Sequence, residues 1–282
     1  MNLCDYDAIR ALLGRHGFHF SKSMGQNFLI DPEIPQAIAR ACGAGPEWGV
    51  LEIGPGIGSL TAQLAPLAGR VAAVELDRDL LPMLAETLGE FQNVHVISGD
   101  VLKLDLPALL AEEFPGMPVM ACANLPYNIT SPVLEKLVET AAVRQFTVMV
   151  QREVAQRICA VPGSGGGSSF SLFLQYYMEP EYLFSVPPDR FYPAPKVTSA
   201  VIRCVRRDAP PVHPADEALF FRLLRGAFAL RRKTLANSLS SALGLPKDTL
   251  LSAIRQAELP ETVRGEQLTL EDLAKLCEIL HK

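Results

Sequence analysis

Asn124-Leu125-Pro126-Tyr127 is the stretch of this chain whose residue types are best suited to chemistry. It follows the apolar run Val119–Ala123, which predicts a buried strand. It precedes Ile129-Thr130-Ser131-Pro132, a helix start with hydroxyl caps and an early proline. A polar-Leu-Pro-aromatic tetrapeptide at a strand's carboxyl end lies where open α/β sheets bind ligands. The asparagine oxygen and a backbone carbonyl can each accept one hydrogen of a flat NH2 group. The tyrosine ring can stack on the base that carries it. Such a constellation suits attack by an exocyclic amine on a methyl donor.

A second constellation suits the donor. Glu52-Ile53-Gly54-Pro55-Gly56-Ile57-Gly58 closes an earlier strand, and its glycines let the backbone turn tightly against a ligand. A dinucleotide fingerprint needs G-x-G-x-x-G, but Ser59 stands where the third glycine is required. A pyrophosphate is therefore disfavoured and a phosphate-free nucleoside preferred, of which S-adenosylmethionine is the commonest. Glu75 ends the next strand and can hydrogen-bond both ribose hydroxyls. Asp100, after the third strand, can accept from the adenine amino group. The sulfonium methyl of S-adenosylmethionine is already activated, so neither a metal nor a nucleophilic side chain is expected.

These residues must be held by strands at Val50–Ile53, Val71–Glu75, Val94–Ile97, Val119–Ala123 and Phe146–Val150. Helical patterns fall between them at 59–67, 77–88, 106–113 and 131–140, and a short helix precedes them at 5–16. Strand-helix alternation with short connections predicts a parallel sheet covered on both faces. The segment 20–31 reads as a loop ending at the helix start Asp31-Pro32, and 163–169 (GSGGGSS) as a flexible loop. Further strands fit Tyr182–Val186 and Val197–Val205, on either side of an exposed, Pro-rich segment. Beyond residue 214 the patterns are helical, at 215–229, 232–243, 247–256 and 269–280.

With 282 residues, 49% of them hydrophobic, the chain can bury one large α/β core and a smaller one. No apolar run approaches the ~20 residues of a membrane span, and the acidic N-terminus does not read as a signal peptide. Six scattered cysteines without a CxxC pair fit a reducing cytoplasm. The net charge of −5 argues against nucleic acid, but its distribution reverses that. Residues 190–233 carry 10 Lys and Arg against 3 acids, the footprint of a polyanion site.

With Gly54–Gly58, Glu75, Asp100 and Asn124–Tyr127 in one frame, the chain resembles the ribosomal RNA adenine N6,N6-dimethyltransferases. It looks most like their bacterial small-subunit branch, whose loss confers kasugamycin resistance. Gly25-Gln26-Asn27-Phe28-Leu29 is similar to that family's N-terminal cofactor motif, and Val150-Gln151-Arg152-Glu153-Val154-Ala155 to its segment after the fifth strand. Phe191-x-Pro193-x-Pro195-Lys196-Val197 and Arg231-Arg232-Lys233-Thr234-Leu235 resemble its later motifs. The resemblance spans roughly residues 23–240.

It implies a Rossmann-like class I S-adenosylmethionine-dependent methyltransferase domain over 1–205 and a small all-helical RNA-binding domain over 206–282. It places cofactor contacts on Asn27, Leu29, Gly54, Glu75, Asp100 and Asn124, beside Gly56 of the glycine loop. Adenine handling falls on Asn124, Leu125, Pro126, Tyr127 and Phe191, and RNA contact on Arg231, Arg232 and Lys233. The implied partner is small-subunit ribosomal RNA within a subunit precursor, met in the cytoplasm by a monomer, with no membrane. One departure stands out. Gly165–Ser171 replaces the Tyr/Arg-containing stretch of relatives, removing the side chains through which that loop would touch RNA.

Three rivals share some of these features. A large-subunit rRNA adenine methyltransferase of the macrolide-resistance type uses the same motifs, but the C-terminal resemblance opposes it. A ribosome-assembly factor would not need the intact Gly54, Glu75, Asp100 and Asn124–Tyr127. A DNA adenine methyltransferase would carry Pro where Leu125 stands in D/N-P-P-Y.

Overall fold

The computed structural model describes residues 2–20 and 25–281. Of the loop expected at 20–31, residues 21–24 lie outside the described residues. The strands are β1 (Phe28–Leu29), β2 (Gly49–Ile53), β3 (Arg70–Glu75), β4 (Val94–Ser98), β5 (Val119–Asn124), β6 (Val143–Gln151), β7 (Met178–Val186), β8 (Phe191–Tyr192) and β9 (Ser199–Arg206). The helices are α1 (Tyr6–Arg15), α2 (Glu33–Cys42), α3 (Thr61–Leu64), α4 (Leu81–Leu88), α5 (Leu106–Glu113), α6 (Thr130–Glu139), α7 (Arg152–Ile158) and α8 (Ser169–Tyr177). Four more close the chain: α9 (Glu217–Ala227), α10 (Leu235–Leu243), α11 (Lys247–Gln256) and α12 (Leu270–Leu280).

Seven strands form one sheet in the order β4-β3-β2-β5-β6-β9-β7. The first five run parallel, and β9 returns antiparallel beside β6. Every residue of β2 and five of six in β5 are buried, as continuous apolar runs covered on both faces must be. Ile38, Ala39 and Cys42 of α2 pack with Val50, Met120 and Met149 of the sheet. The strand order reverses between β2 and β5, so the crevice at their carboxyl ends is the switch point where such sheets take ligands. β1 and β8 pair separately, Leu29 opposite Phe191.

Two compact units result. The first holds residues 1–155 and 181–206, the second 156–180 and 207–282. Residues 156–180, assigned to the first domain by the sequence, cluster with the second. Their reason is aromatic: Phe173 and Tyr176 of α8 pack edge-on against Phe221 of α9, all within the second unit. Its core is completed by Leu223, Leu235, Leu239, Leu250 and Leu273.

Several local expectations need correction. The GSGGGSS segment is a loop up to Ser168, as expected, but a helix the patterns did not predict, α8, starts at Ser169, because Ser168 caps it in a reciprocal pair with Ser171. The helix expected at 59–67 is regular only over Thr61–Leu64, just ahead of Pro66. The helix expected from 232 starts at Leu235, after the extended Thr234. Arg231, Arg232 and Lys233 are therefore exposed residues of the turn before that helix. Phe191, in the segment expected to be exposed, is 3% exposed.

Candidate active site

One cavity of about 170 Å³ gathers the strand ends, well beyond the ~10–15 Å³ that holds a single water. Its wall contains Asn27, Leu29, Gly54, Gly56, Glu75, Asp100, Asn124, Leu125, Pro126, Tyr127 and Phe191, every expected site residue of the first unit. Arg231, Arg232 and Lys233 belong to the second unit.

The floor is the turn after β2. Gly54, Gly56 and Gly58 all adopt positive φ, +69°, +63° and +90°. These conformations disfavour any residue with a side chain, and a Cβ at Gly58 would also require the Leu88 side chain, 2.9 Å away at Cδ2, to shift. Glu75 is 5% exposed and accepts from Gly56 N (3.1 Å) and Asp77 N (2.8 Å). Burial raises its pKa, and these backbone donors oppose the rise. The acid is thus held by the loop it faces, with each oxygen retaining a lone pair for a ligand. Asp100 accepts from Leu102 N (3.0 Å) and stands 3.6 Å from Lys103 Nζ.

The acceptor wall lies opposite. Asn124 donates Nδ2 to the Asn27 carbonyl (3.4 Å), leaving Oδ1 to accept from a ligand. Asn27 itself donates to Gly25 O (3.0 Å). Of the two carbonyls considered as the second acceptor, that of Pro126 is engaged, taking Ile129 N and Thr130 Oγ1, each at 3.2 Å. The Leu125 carbonyl is the remaining candidate, in a residue anchored by its own N–H to Met149 O (3.1 Å). Tyr127 is half-buried and its hydroxyl bonds Ser199 Oγ at 2.6 Å, which fixes the ring. Burial raises the Tyr127 pKa, so the phenol stays neutral. Phe191 packs with Leu29, Met149 and Val201 and presents part of its ring to the cavity.

Five contributors were given no role of their own by the sequence: Glu52, Asp77, Gln26, Ser199 and Lys136. Glu52 and Asp77 line the cavity, and Gln26 Nε2 donates to Asp77 Oδ2 at 2.6 Å, joining the N-terminal motif to the loop after β3. Glu52 had a signal: it is the lone acid in an otherwise apolar strand. Ser199 had none. Lys136 of α6 donates to Leu102 O (2.9 Å) and Leu104 O (2.6 Å), bracing the turn that carries Asp100.

The wall of the cavity holds four acids, Glu52, Glu75, Asp77 and Asp100, and among the described residues no Lys, Arg or His. These four acids would repel a phosphate. A nucleoside bearing positive charge fits both the acids and the glycine turn.

The basic segment is partly committed elsewhere. Arg190 pairs with Asp31 (2.6 Å), Arg203 with Glu181 (2.6 Å) and Arg207 with Glu179 (2.6 Å). Arg206 donates to the carbonyls of Val138 (2.7 Å) and Val143 (2.8 Å).

The profile of the ribosomal RNA adenine dimethylase family matches residues 17–282. A protein named ribosomal RNA small subunit methyltransferase A from Streptococcus sanguinis (strain SK36) is 46% identical, covering 99% of this chain and 98% of its own. Its namesake from Streptococcus pneumoniae (strain P1031) is 45% identical with the same coverage. Among solved structures, a dimethyladenosine transferase from Plasmodium falciparum superposes with a TM-score of 0.73 at 25% identity, over 88% of this chain and 95% of that one. The 23S rRNA methyltransferase ErmE gives 0.71 at 27% identity, over 90% and 100%.

Proposed function

The chain belongs to the ribosomal RNA adenine dimethylase family, and from that premise we propose that its cavity binds S-adenosylmethionine beside an adenine whose N6 is held by Asn124 and Leu125. The protein is an enzyme that dimethylates adenine N6 in small-subunit ribosomal RNA. The full-length relatives bearing the small-subunit name are far more similar to it than the 23S enzyme, 46% against 27% identity.

The observation that carries the site assignment is the shared wall. An acid-rich cavity, lined by no Lys, Arg or His among the described residues, and an Asn-Leu-Pro-Tyr turn meet at one switch point. Glu75 would hold the ribose hydroxyls and Asp100 the adenine amino group of the cofactor. Bound there, S-adenosylmethionine would supply an activated methyl group with a neutral thioether as leaving group.

The remaining work is positioning. The substrate adenine is unstacked from its strand to enter. Asn124 Oδ1 and Leu125 O accept the two N6 hydrogens, drawing the lone pair out of conjugation. The same dipoles stabilise the positive charge that develops on N6. Tyr127 covers one face of the base, and Phe191 closes the wall behind it. After one transfer, N6 still keeps a hydrogen for one of the two acceptors, so the pocket can hold the monomethylated base. Arg231, Arg232 and Lys233 take RNA phosphates. The target is reached in a small-subunit precursor in the cytoplasm, where the strand is still open to unstacking, by a monomer.

Incubation with S-adenosylmethionine and naked or subunit-borne rRNA, read by primer extension, tests this. Extension arrests at adenines of small-subunit RNA are expected. Arrests confined to large-subunit RNA would contradict the assignment.

A further inference from the structure

Glu52 is the one residue of β2 that sheet packing does not explain. It is 1% exposed between Leu51 and Ile53, and it is one of the residues lining the cavity. Its Oε2 has no hydrogen-bond partner among the described residues. The polar and titratable groups that face it are Thr61 of α3, Glu75 of β3 and Cys122 of β5. Thr61 Oγ1 is also buried, outside hydrogen-bonding geometry, but near enough to favour the carboxylate more than Glu75 disfavours it. Glu75 carries the same charge, and Cys122 is a thiol whose pKa is pushed up by its neighbour Cys42 and by burial.

Among the described residues, then, no neighbour neutralises an ionised Glu52. An isolated buried carboxylate is costly enough that the group either finds a cation or takes a proton. Burial, reinforced by Glu75, pushes Glu52 up to about 8. At neutral pH the acid keeps its proton unless a cation comes to it. Among the described residues, none supplies a cation to the cavity wall.

We propose that Glu52 is the counter-charge for the positive end of the methyl donor and releases a proton to solvent as that ligand binds. This rests on the reading that the cavity takes S-adenosylmethionine. The Glu52 O–H bond breaks, the proton passes to buffer, and the carboxylate pairs with the incoming cation, so charge balances. Two groups of the donor have the right chemistry, its α-ammonium and its sulfonium. The product S-adenosylhomocysteine keeps the first and loses the second. If the sulfonium is the partner, Glu52 distinguishes donor from product and its reprotonation favours product release.

Calorimetry at pH 7 in two buffers of different ionisation enthalpy counts the protons released per ligand. For the wild-type protein about one proton is expected with S-adenosylmethionine, falling away by pH 9, with affinity rising from pH 6 to 8 and then levelling. Glu52→Gln should abolish both the release and the pH dependence, and weaken donor binding by about tenfold or more. Release with S-adenosylmethionine alone identifies the sulfonium; release with S-adenosylhomocysteine as well identifies the ammonium. 5′-Methylthioadenosine, which carries neither charge, should release none. No release from the wild type, equal release with 5′-methylthioadenosine, or undiminished release from Glu52→Gln (which would point to Glu75) overturns the proposal. Failure of S-adenosylmethionine to bind at all overturns the cofactor reading instead. The wild-type proton count stands even if the variant does not fold.

Discussion

Glu75 does two jobs with one carboxylate: it holds the glycine turn through Gly56 N and Asp77 N, and it faces the cavity. Glu75→Ala removes a charge-assisted acceptor, about 1.5–3 kcal/mol, so calorimetry should show S-adenosylmethionine affinity falling roughly ten- to a hundredfold. NAD should not bind the wild-type protein, since its pyrophosphate would enter a wall of four acids. Tight NAD binding, or an unchanged mutant, would contradict the cofactor assignment. Glu75 and Asp100 were legible in the sequence because acids at successive strand ends are a spacing signal. Glu52 was visible in the same stretch, but its meaning lies in a missing hydrogen bond that no spacing reveals. Ser199 lies 72 positions from the Tyr127 hydroxyl it holds, and only the antiparallel return of β9 brings them together.

At the scale of elements, α6 ties the two halves of the site. Lys136, in the second turn of α6, which follows the Asn-Leu-Pro-Tyr segment, braces the carbonyls of Leu102 and Leu104. Lys136→Met should loosen the Asp100 turn and weaken cofactor binding several-fold, about 1 kcal/mol, with the fold intact by circular dichroism. Unchanged affinity would show that Asp100 needs no brace. At the far end of the sheet, Glu113 of α5 joins Arg70 (2.8 Å) of β3 and His95 (2.8 Å) of β4. Burial alone would raise the Glu113 pKa, but hydrogen bonds from Arg70 and His95 outweigh it and hold it below the ordinary value. A depressed carboxylate stabilises the fold above its unfolded pKa of about 4.3 and loses that stability as pH falls through the lower folded value. Urea midpoints should therefore fall less steeply in acid for Glu113→Gln than for wild type; parallel curves would contradict the pairing. The parallel strands were legible because their runs are continuously apolar. α8 was not, because glycine and serine masked a cap, although Phe170, Phe173 and Tyr177 already showed helical spacing.

For the whole molecule, the basic surplus in 190–233 proved a poor measure of free charge. Arg190, Arg203, Arg206 and Arg207 are engaged within the fold, which the sequence count could not reveal. The exposed triplet Arg231-Arg232-Lys233 remains the phosphate candidate. Neutralising all three should weaken RNA binding across sequences and lower the log-log salt slope by ~0.7–0.9 per lost contact, with cofactor affinity unchanged. A wild-type slope in filter binding would make the triplet a solvated turn. Asn124-Leu125-Pro126-Tyr127 is proposed to present adenine N6 for two methyl transfers. Mass spectrometry of nucleosides from small-subunit rRNA, after timed reaction with saturating cofactor, tests it most directly. The wild-type enzyme should yield N6,N6-dimethyladenosine, and Asn124→Ala should slow both transfers by ~10²–10³, the usual effect of losing one preorganised dipole. Dimethyladenosine formed by Asn124→Ala at the wild-type rate, or methyl groups found only on other bases, would contradict it.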